Sequence, residues 1–217
     1  MRFQTLKFEM REEMMSLCKS AVILAGGKSS RMKFDKQFLV IDEKRLIYDL
    51  ATKLKKHFNE IIIVTNKPEF YNDCGYKVVV DEIKDCGPLS GIHIGLKSAN
   101  SEYVYFLACD MPNIDNNYIE YLKENINTLY DAYITKLDEF AEPFHGIYKK
   151  SLFNDIEKFL LNSDKKSINK FLEAKNIVYL NKDDFNKNNF NKNIFINLNN
   201  QKDLQNFVKE VDLNGRY

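Results

Sequence analysis

The chain is poor in the residues that break chains: four prolines and eight glycines in 217 positions. No Pro/Gly-rich linker separates two parts, and at about 150 residues per domain the length fits one domain with a small appendage. Four cysteines (Cys18, Cys74, Cys86, Cys109) form no CxxC pair and no zinc spacing, which excludes a zinc ribbon or a disulfide framework. They read as reduced thiols of a cytoplasmic protein. An excess of either charge is missing too. Lysine and arginine total 32 against 31 acidic residues, a formal net charge of +1, and a nucleic-acid binder would carry a basic excess or stripe. A small anion held by a few local cations stays open. No run approaches the roughly 18 apolar residues of a membrane span.

The first 20 residues mix charge with apolar side chains, so they lack the unbroken apolar core of a signal peptide. Leu17-Cys18 faintly suggests a lipoprotein site, but Arg11, Glu12 and Glu13 stand just upstream. Met14 and Met15 are alternative starts. The expected division is an N-terminal extension over 1–20 and one domain over 21–217.

What is present is a globular mixture, 44% apolar and 29% charged. From Ala21 short apolar runs alternate with amphipathic stretches, the pattern of a layered α/β domain. Strands are predicted at 21–25, 60–65, 76–81, 103–110, 131–135, 144–148 and 194–198. Helices are predicted at 47–58, 89–98, 116–126, 150–161, 167–174 and 201–210. The Asn/Lys-rich run 181–193 reads as a low-complexity loop.

With so few glycines, Gly26-Gly27 at the exit of the first strand stands out. The stretch LAGGKSSRMKFDK (24–36) follows glycines with Ser29 and Ser30 hydroxyls and with the cations Lys28, Arg31, Lys33 and Lys36. Glycines let backbone N–H groups close on an anion, so this is the chemistry of a polyphosphate cradle. It is neither of two familiar loops: a dinucleotide fingerprint lacks its third glycine, and a P-loop would need glycine where Val22 stands. The simpler reading is a tight turn followed by a solvated basic segment.

Asp110 directly follows the most apolar strand, in FLACDMP, and Pro112 stops that strand. A carboxylate at the carboxyl edge of a parallel sheet sits where α/β ligands bind. Mg²⁺ takes one or two carboxylates with substrate phosphates and water, so Asp110 facing the glycine loop makes a magnesium–triphosphate site. The simpler reading is an Asp capping the next turn.

These residues resemble the nucleotidyltransferases and, within them, the molybdenum cofactor guanylyltransferases. Leu24–Lys36 matches the signature L-A-G-G-x-S-x-R-M-G-x-D-K at every specified position except Lys33, where the family has glycine. CGPLSGI (86–92) resembles G-P-L-A-G-I, CDMPNI (109–114) resembles the C-D-x-P block, and FINLNNQKDL (195–204) resembles N-x-N-T-P-E-D-L with Asn200-Gln201 replacing Thr-Pro. The resemblance implies a Rossmann-like three-layer α/β/α fold with a mostly parallel mixed sheet. It implies transfer of GMP from Mg·GTP to molybdopterin-bound molybdenum, with Mg²⁺ as cofactor. It implies passing contact with proteins that deliver the cofactor and that mature molybdoenzymes, and no membrane or nucleic acid. Carried over, Leu24, Ala25, Gly26 and Gly27 give backbone contacts to GTP, while Arg31 and Lys36 neutralise phosphate. Asn66 and Asp81 contact the nucleotide, and Asp110 holds the metal. A carboxylate suits guanine, whose N1–H and N2–H₂ form a donor pair.

The acceptor phosphate is already ionised near neutral pH, so no general base is required and none is evident. His57 reads as structural. His93 reads as a surface residue that could also line the nucleotide pocket. On the pterin side the resemblance points to Glu142, His145, Asn197 and Asn199. A related CTP- or sugar-phosphate-dependent transferase, or a non-catalytic nucleotide-binding scaffold, are the other readings.

Overall fold

A computed structural model describes residue 9 and residues 11–26, 35–41, 43–84, 86–164 and 166–214. Strand β1 (Ser20–Leu24) shows why the fold is layered. Its alternate side chains divide between two cores: Ala21 and Ile23 enter one, Val22 and Leu24 the other. With side chains alternating across a strand, a run apolar at every position must be covered on both faces. β4 (Glu60–Val64) and β6 (Tyr103–Ala108) divide the same way.

Two further strands, β2 (Val40–Ile41) and β3 (Lys44–Arg45), pair as a separate small hairpin. β5 (Lys77–Val79), β7 (Ala132–Leu137), β8 (Phe140–Lys149) and β9 (Ile177–Leu180) complete a seven-stranded sheet in the order β5-β4-β1-β6-β8-β7-β9. Only β8 runs against the others. One face is covered by α1 (Leu46–Leu54), α3 (Asn116–Glu124), α6 (Lys182–Asn188) and α7 (Gln201–Asn214). The other is covered by α2 (Pro88–Ser98), α4 (Leu152–Asn162) and α5 (Ile168–Leu172). The expected three-layer α/β/α architecture with a mostly parallel mixed sheet is therefore observed.

Local chemistry sets the helices. In α1, Leu46, Ile47, Leu50, Ala51 and Leu54 form one buried stripe at helical spacing. Helix α2 starts on Gly87, at φ 65°, with Pro88 as its first residue. It lies close on the sheet because Gly95 has no side chain: a Cβ there would stand 2.8 Å from Phe106 Cε1 and 3.0 Å from Val22 Cγ1. Asp115 caps α3 through the N–H groups of Asn117 and Tyr118.

Three expectations are corrected. The run 181–193 is not simply a loop: α6 forms there behind a capping box in which the Asn181 side chain and Asp184 satisfy each other's backbone N–H groups. Residues 194–198 are not a strand. They leave a 3-10 turn (Lys192–Phe195), bury Ile194 and Leu198, and cross the sheet edge. The edge position belongs to β9, which pairs with β7 from Ala132↔Ile177 to Thr135↔Leu180. The domain also begins before Ala21. Ser20 opens β1, Cys18 is buried, and the Leu17 carbonyl accepts from Tyr103 N at 2.9 Å. All four cysteines are free thiols, and no helix among the described residues is long and apolar enough to cross a membrane.

Candidate active site

Chain direction reverses across β1. From β1 the chain crosses through α1, on one face, to β4; from β5 it returns through α2, on the other face, to β6. The carboxyl ends of β1 and β6 thus flank a topological switch point, where open α/β sheets bind ligands. A cavity of about 210 Å³ opens there. Leu24, Ala25 and Gly26 form its wall at the exit of β1, and Ala108, Cys109 and Asp110 form the wall at the exit of β6. Cys109 N donates to Leu24 O at 3.0 Å, which ties these two exits together, and Ala25 N donates to Val64 O at 2.8 Å, which ties the β1 exit to that of β4.

Lys36 enters from the short turn Lys36–Phe38, which Asp35 caps by accepting from Gln37 N. Its Nζ lies 2.5 Å from Asp110 Oδ2 and donates to Asn199 Oδ1 at 2.8 Å. The cation and the carboxylate are both mostly screened from solvent, at 23% and 13% side-chain exposure, so their mutual field is stronger than that of a surface pair. The crossing segment closes this side: Leu198 N donates to Asp110 O at 2.8 Å, and Asn197 lines the cavity.

Across the cavity Phe144 is placed by an irregularity. Between the pairs Tyr133↔Ile147 and Thr135↔Glu142, β7 advances two residues while β8 takes five. The surplus forms a bulge, and bulges re-aim side chains beside sites. Phe144 faces the cavity, while His145 adopts φ 55° and turns inward.

Of the residues singled out from sequence, Leu24, Ala25, Gly26, Lys36, Asp110 and Asn197 line one cavity, and Asn199 joins them through Lys36. Gly27 and Arg31, with Lys28, Ser29, Ser30 and Lys33, lie outside the described residues. Asn66 is exposed just past β4 and is not in the cavity wall. Asp81 stands past β5, also outside that wall. Its Oδ2 accepts from Ser90 Oγ at 3.0 Å, whereas Oδ1 is buried with no partner. Burial holds its carboxyl above the usual range, with the Ser90 hydroxyl and His93 opposing this. Glu142 is half-buried beside the bulge, and burial raises its carboxyl as well.

Two histidines depart from expectation. His145 is wholly buried, with Nδ1 2.6 Å from Tyr105 Oη and Nε2 without a partner. Burial pulls it down to about 3, so it is a neutral core residue and not a group presented to a ligand. His93 is buried in α2, not on the surface, because the neighbouring α4 covers it with Phe153 and Glu157. Sequence reasoning missed Asp35, Pro88 and Phe144 in the cavity wall. Asp35 was legible as the neighbour of Lys36 in the matched signature. Phe144 had no signal, since its placement depends on the bulge.

The family model for the MobA-like NTP transferase domain matches residues 21–178. The chain belongs to this family. A relative from Peptoclostridium acidaminophilum named probable molybdenum cofactor guanylyltransferase is 45% identical over 194 residues, covering 87% of each chain. A molybdenum cofactor guanylyltransferase from Syntrophotalea carbinolica is 42% identical, over 88% of this chain and 91% of that one. Among solved structures, the molybdopterin-guanine dinucleotide biosynthesis protein A of Archaeoglobus fulgidus superimposes with a TM-score of 0.76 at 25% identity, covering 90% of this chain and all of that one. As a MobA-like NTP transferase the chain is an enzyme, and its cavity at the β1/β6 switch point is the candidate active site.

Proposed function

We propose that this MobA-like transferase moves GMP from GTP to the terminal phosphate of molybdenum-bound molybdopterin. An oxygen of that phosphate attacks the α-phosphorus of GTP, a new P–O bond forms, the bond to the β-phosphate's bridging oxygen breaks, and pyrophosphate leaves. The attacking oxygen is already ionised, so no protein base takes a proton. The observation that carries the reading is the Lys36–Asp110 pair inside the switch-point cavity. The names of the relatives supply the substrates.

The donor set suits magnesium. Mg²⁺ takes one or two carboxylates and fills its remaining positions with phosphate oxygens and water. The cavity wall offers the carboxylates of Asp110 and Asp35. Among the described residues no group of three or more His, Cys, Asp or Glu side chains is placed to hold a metal, at this site or elsewhere, so phosphate and water would fill most positions of the ion. Bound by Asp110, the ion would supply charge neutralisation to the triphosphate and the departing pyrophosphate. Lys36 adds a fixed positive charge in a mostly water-excluded wall, where it stabilises developing charge without reorganising. Asn199 holds that lysine, and the β1 exit brings backbone to the phosphates at Leu24, Ala25 and Gly26. The resemblance to the family assigns the guanine to Asp81, because a carboxylate suits the N1–H and N2–H₂ donor pair. Its Oδ1 is buried without a partner and stands outside the cavity wall, so a base that reached it would satisfy an acceptor left unpaired in the free protein.

The test is pyrophosphate release with molybdenum-bound molybdopterin and magnesium, comparing GTP with CTP, ATP and UTP. Release with GTP, lost on Lys36→Ala and on Asp110→Asn, is the expected outcome. Release with CTP alone would make it a cytidylyltransferase, and nucleotide binding without release would make it a scaffold.

A further inference from the structure

Next to Lys36 stands Gln37, 2% exposed and the only buried residue of its turn. A buried carboxamide must spend its polar atoms on partners. Gln37 Oε1 accepts from Thr65 Oγ1 at 2.8 Å and from Tyr71 Oη at 3.2 Å, which fills both lone pairs. Its Nε2 donates to Asp35 Oδ2 at 2.7 Å. Its backbone carbonyl accepts from Arg45 Nη2 at 3.1 Å, and that guanidinium lies 5.1 Å from the Phe38 ring and 4.6 Å from the Tyr71 ring. The turn is therefore clamped through both its backbone and its side chain.

The partners lie in separate parts of the chain. Asp35 precedes Lys36. Thr65 directly follows β4, its N–H donating to Val79 O and its hydroxyl accepting from Lys67 N at 3.0 Å, so it fixes the path of the chain through Asn66. Tyr71 closes the following turn, Pro68–Tyr71. A leucine or methionine would fill the same space as Gln37. Lys67 Nζ, 3.2 Å from Asp35 Oδ2, and Arg45, which donates to Gln37 O and Phe70 O, also tie this turn to the chain after β4. What the carboxamide adds, and an apolar side chain would not, is a buried link from the turn carrying the phosphate cation to Thr65, next to Asn66.

We propose that Gln37 is a positioning residue, whose carboxamide holds Lys36 at a fixed spacing from the β4 exit. The proposal rests on the functional reading above in one respect, that Lys36 serves the transferred phosphate. A cation that acts on charge developing in the transition state is sensitive to placement, so loosening it lowers kcat more than it raises KM.

The experiment compares Gln37→Leu, Thr65→Val and the double variant, assayed with whichever of GTP, CTP, ATP or UTP the wild type uses fastest. Unfolding temperatures are recorded in parallel. Gln37→Leu is expected to lower kcat about 10- to 100-fold with the nucleotide KM within about threefold. Thr65→Val, which removes one of the two bonds to Oε1, is expected to lower kcat about three- to fivefold. The double variant should be no slower than Gln37→Leu, because both disconnect the same link. A folded Gln37→Leu protein with wild-type kcat, an effect confined to KM, or losses that multiply in the double variant would overturn the proposal. Should Gln37→Leu fail to fold, an unchanged kcat in Thr65→Val overturns it alone. A wild type that prefers CTP sinks the guanylyl reading but leaves this test standing, and a wild type that uses no triphosphate sinks both.

Discussion

The sheet has two unlike halves. β5, β4, β1 and β6 run parallel in unbroken register, and the four strand exits lie along one edge. Beyond β6 the direction reverses at β8, the β7–β8 ladder slips, and the 3-10 turn with residues 196–199 crosses back over the edge. The regular half supplies Lys36 and Asp110, and the irregular half supplies Phe144, Asn197 and Asn199 from a bulge and a strap. Fixed charges need a rigid frame, because misplacement is costly in the transition state. A large acceptor can be met by side chains on irregular backbone, where binding sites commonly stand. On this account the regular half handles the triphosphate, and the irregular half handles the acceptor.

The largest effect should come from the regular half. Lys36→Ala or Asp110→Asn is expected to lower kcat about 10²- to 10³-fold in the pyrophosphate assay. A loss under threefold in both would break the division of labour. Next comes packing. Gly95→Ala pushes a methyl against Phe106 and Val22 and should destabilise the fold by about 1–3 kcal/mol in urea unfolding. An unchanged midpoint would mean that α2 can shift freely.

On the irregular side, Phe144→Ala should raise the acceptor KM roughly tenfold, about 1.4 kcal/mol, and leave the GTP KM within about twofold. Equal effects on the two substrates would erase the distinction between the halves.

The smallest effect concerns Asp81. Its raised carboxyl means that, between the unfolded and folded pKa values, the folded chain binds more protons than the unfolded one. Stability therefore falls as pH rises through that window, and the desolvation cost is fully present above it. Asp81→Asn should leave neutral-pH stability equal or slightly higher while weakening GTP binding about three- to tenfold. In the wild type, GTP binding should weaken as pH drops toward the raised carboxyl pKa. A pH-independent affinity, measured by calorimetry, would remove Asp81 from the base-binding role.

The same division governs what the sequence discloses. β1, β4 and β6 are apolar at nearly every position, and a residue buried on both faces of a strand leaves little freedom of interpretation. Asp110 and Lys36 were legible because local punctuation, Pro112 after one and the matched signature around the other, marks them. The irregular half hides its structure in long-range pairing. Residues 177–180 and 194–198 are both short apolar runs, and only contact with β7 decides which of them joins the sheet. The helix over 182–188 was concealed by asparagine-rich composition, although Asn181 and Asp184 already stand at capping-box spacing. His145 was assigned to the pterin side by resemblance, yet its burial is set by Tyr105 and Phe195, which come from other elements.

The most direct test follows the α-phosphate itself. With GTP labelled at the α-phosphorus, magnesium and molybdenum-bound molybdopterin, the label should appear in the pterin dinucleotide, one pyrophosphate released per label transferred. The transfer should collapse in Asp110→Asn. Label that stays in GTP or in free GMP, or full transfer by Asp110→Asn, would contradict the account.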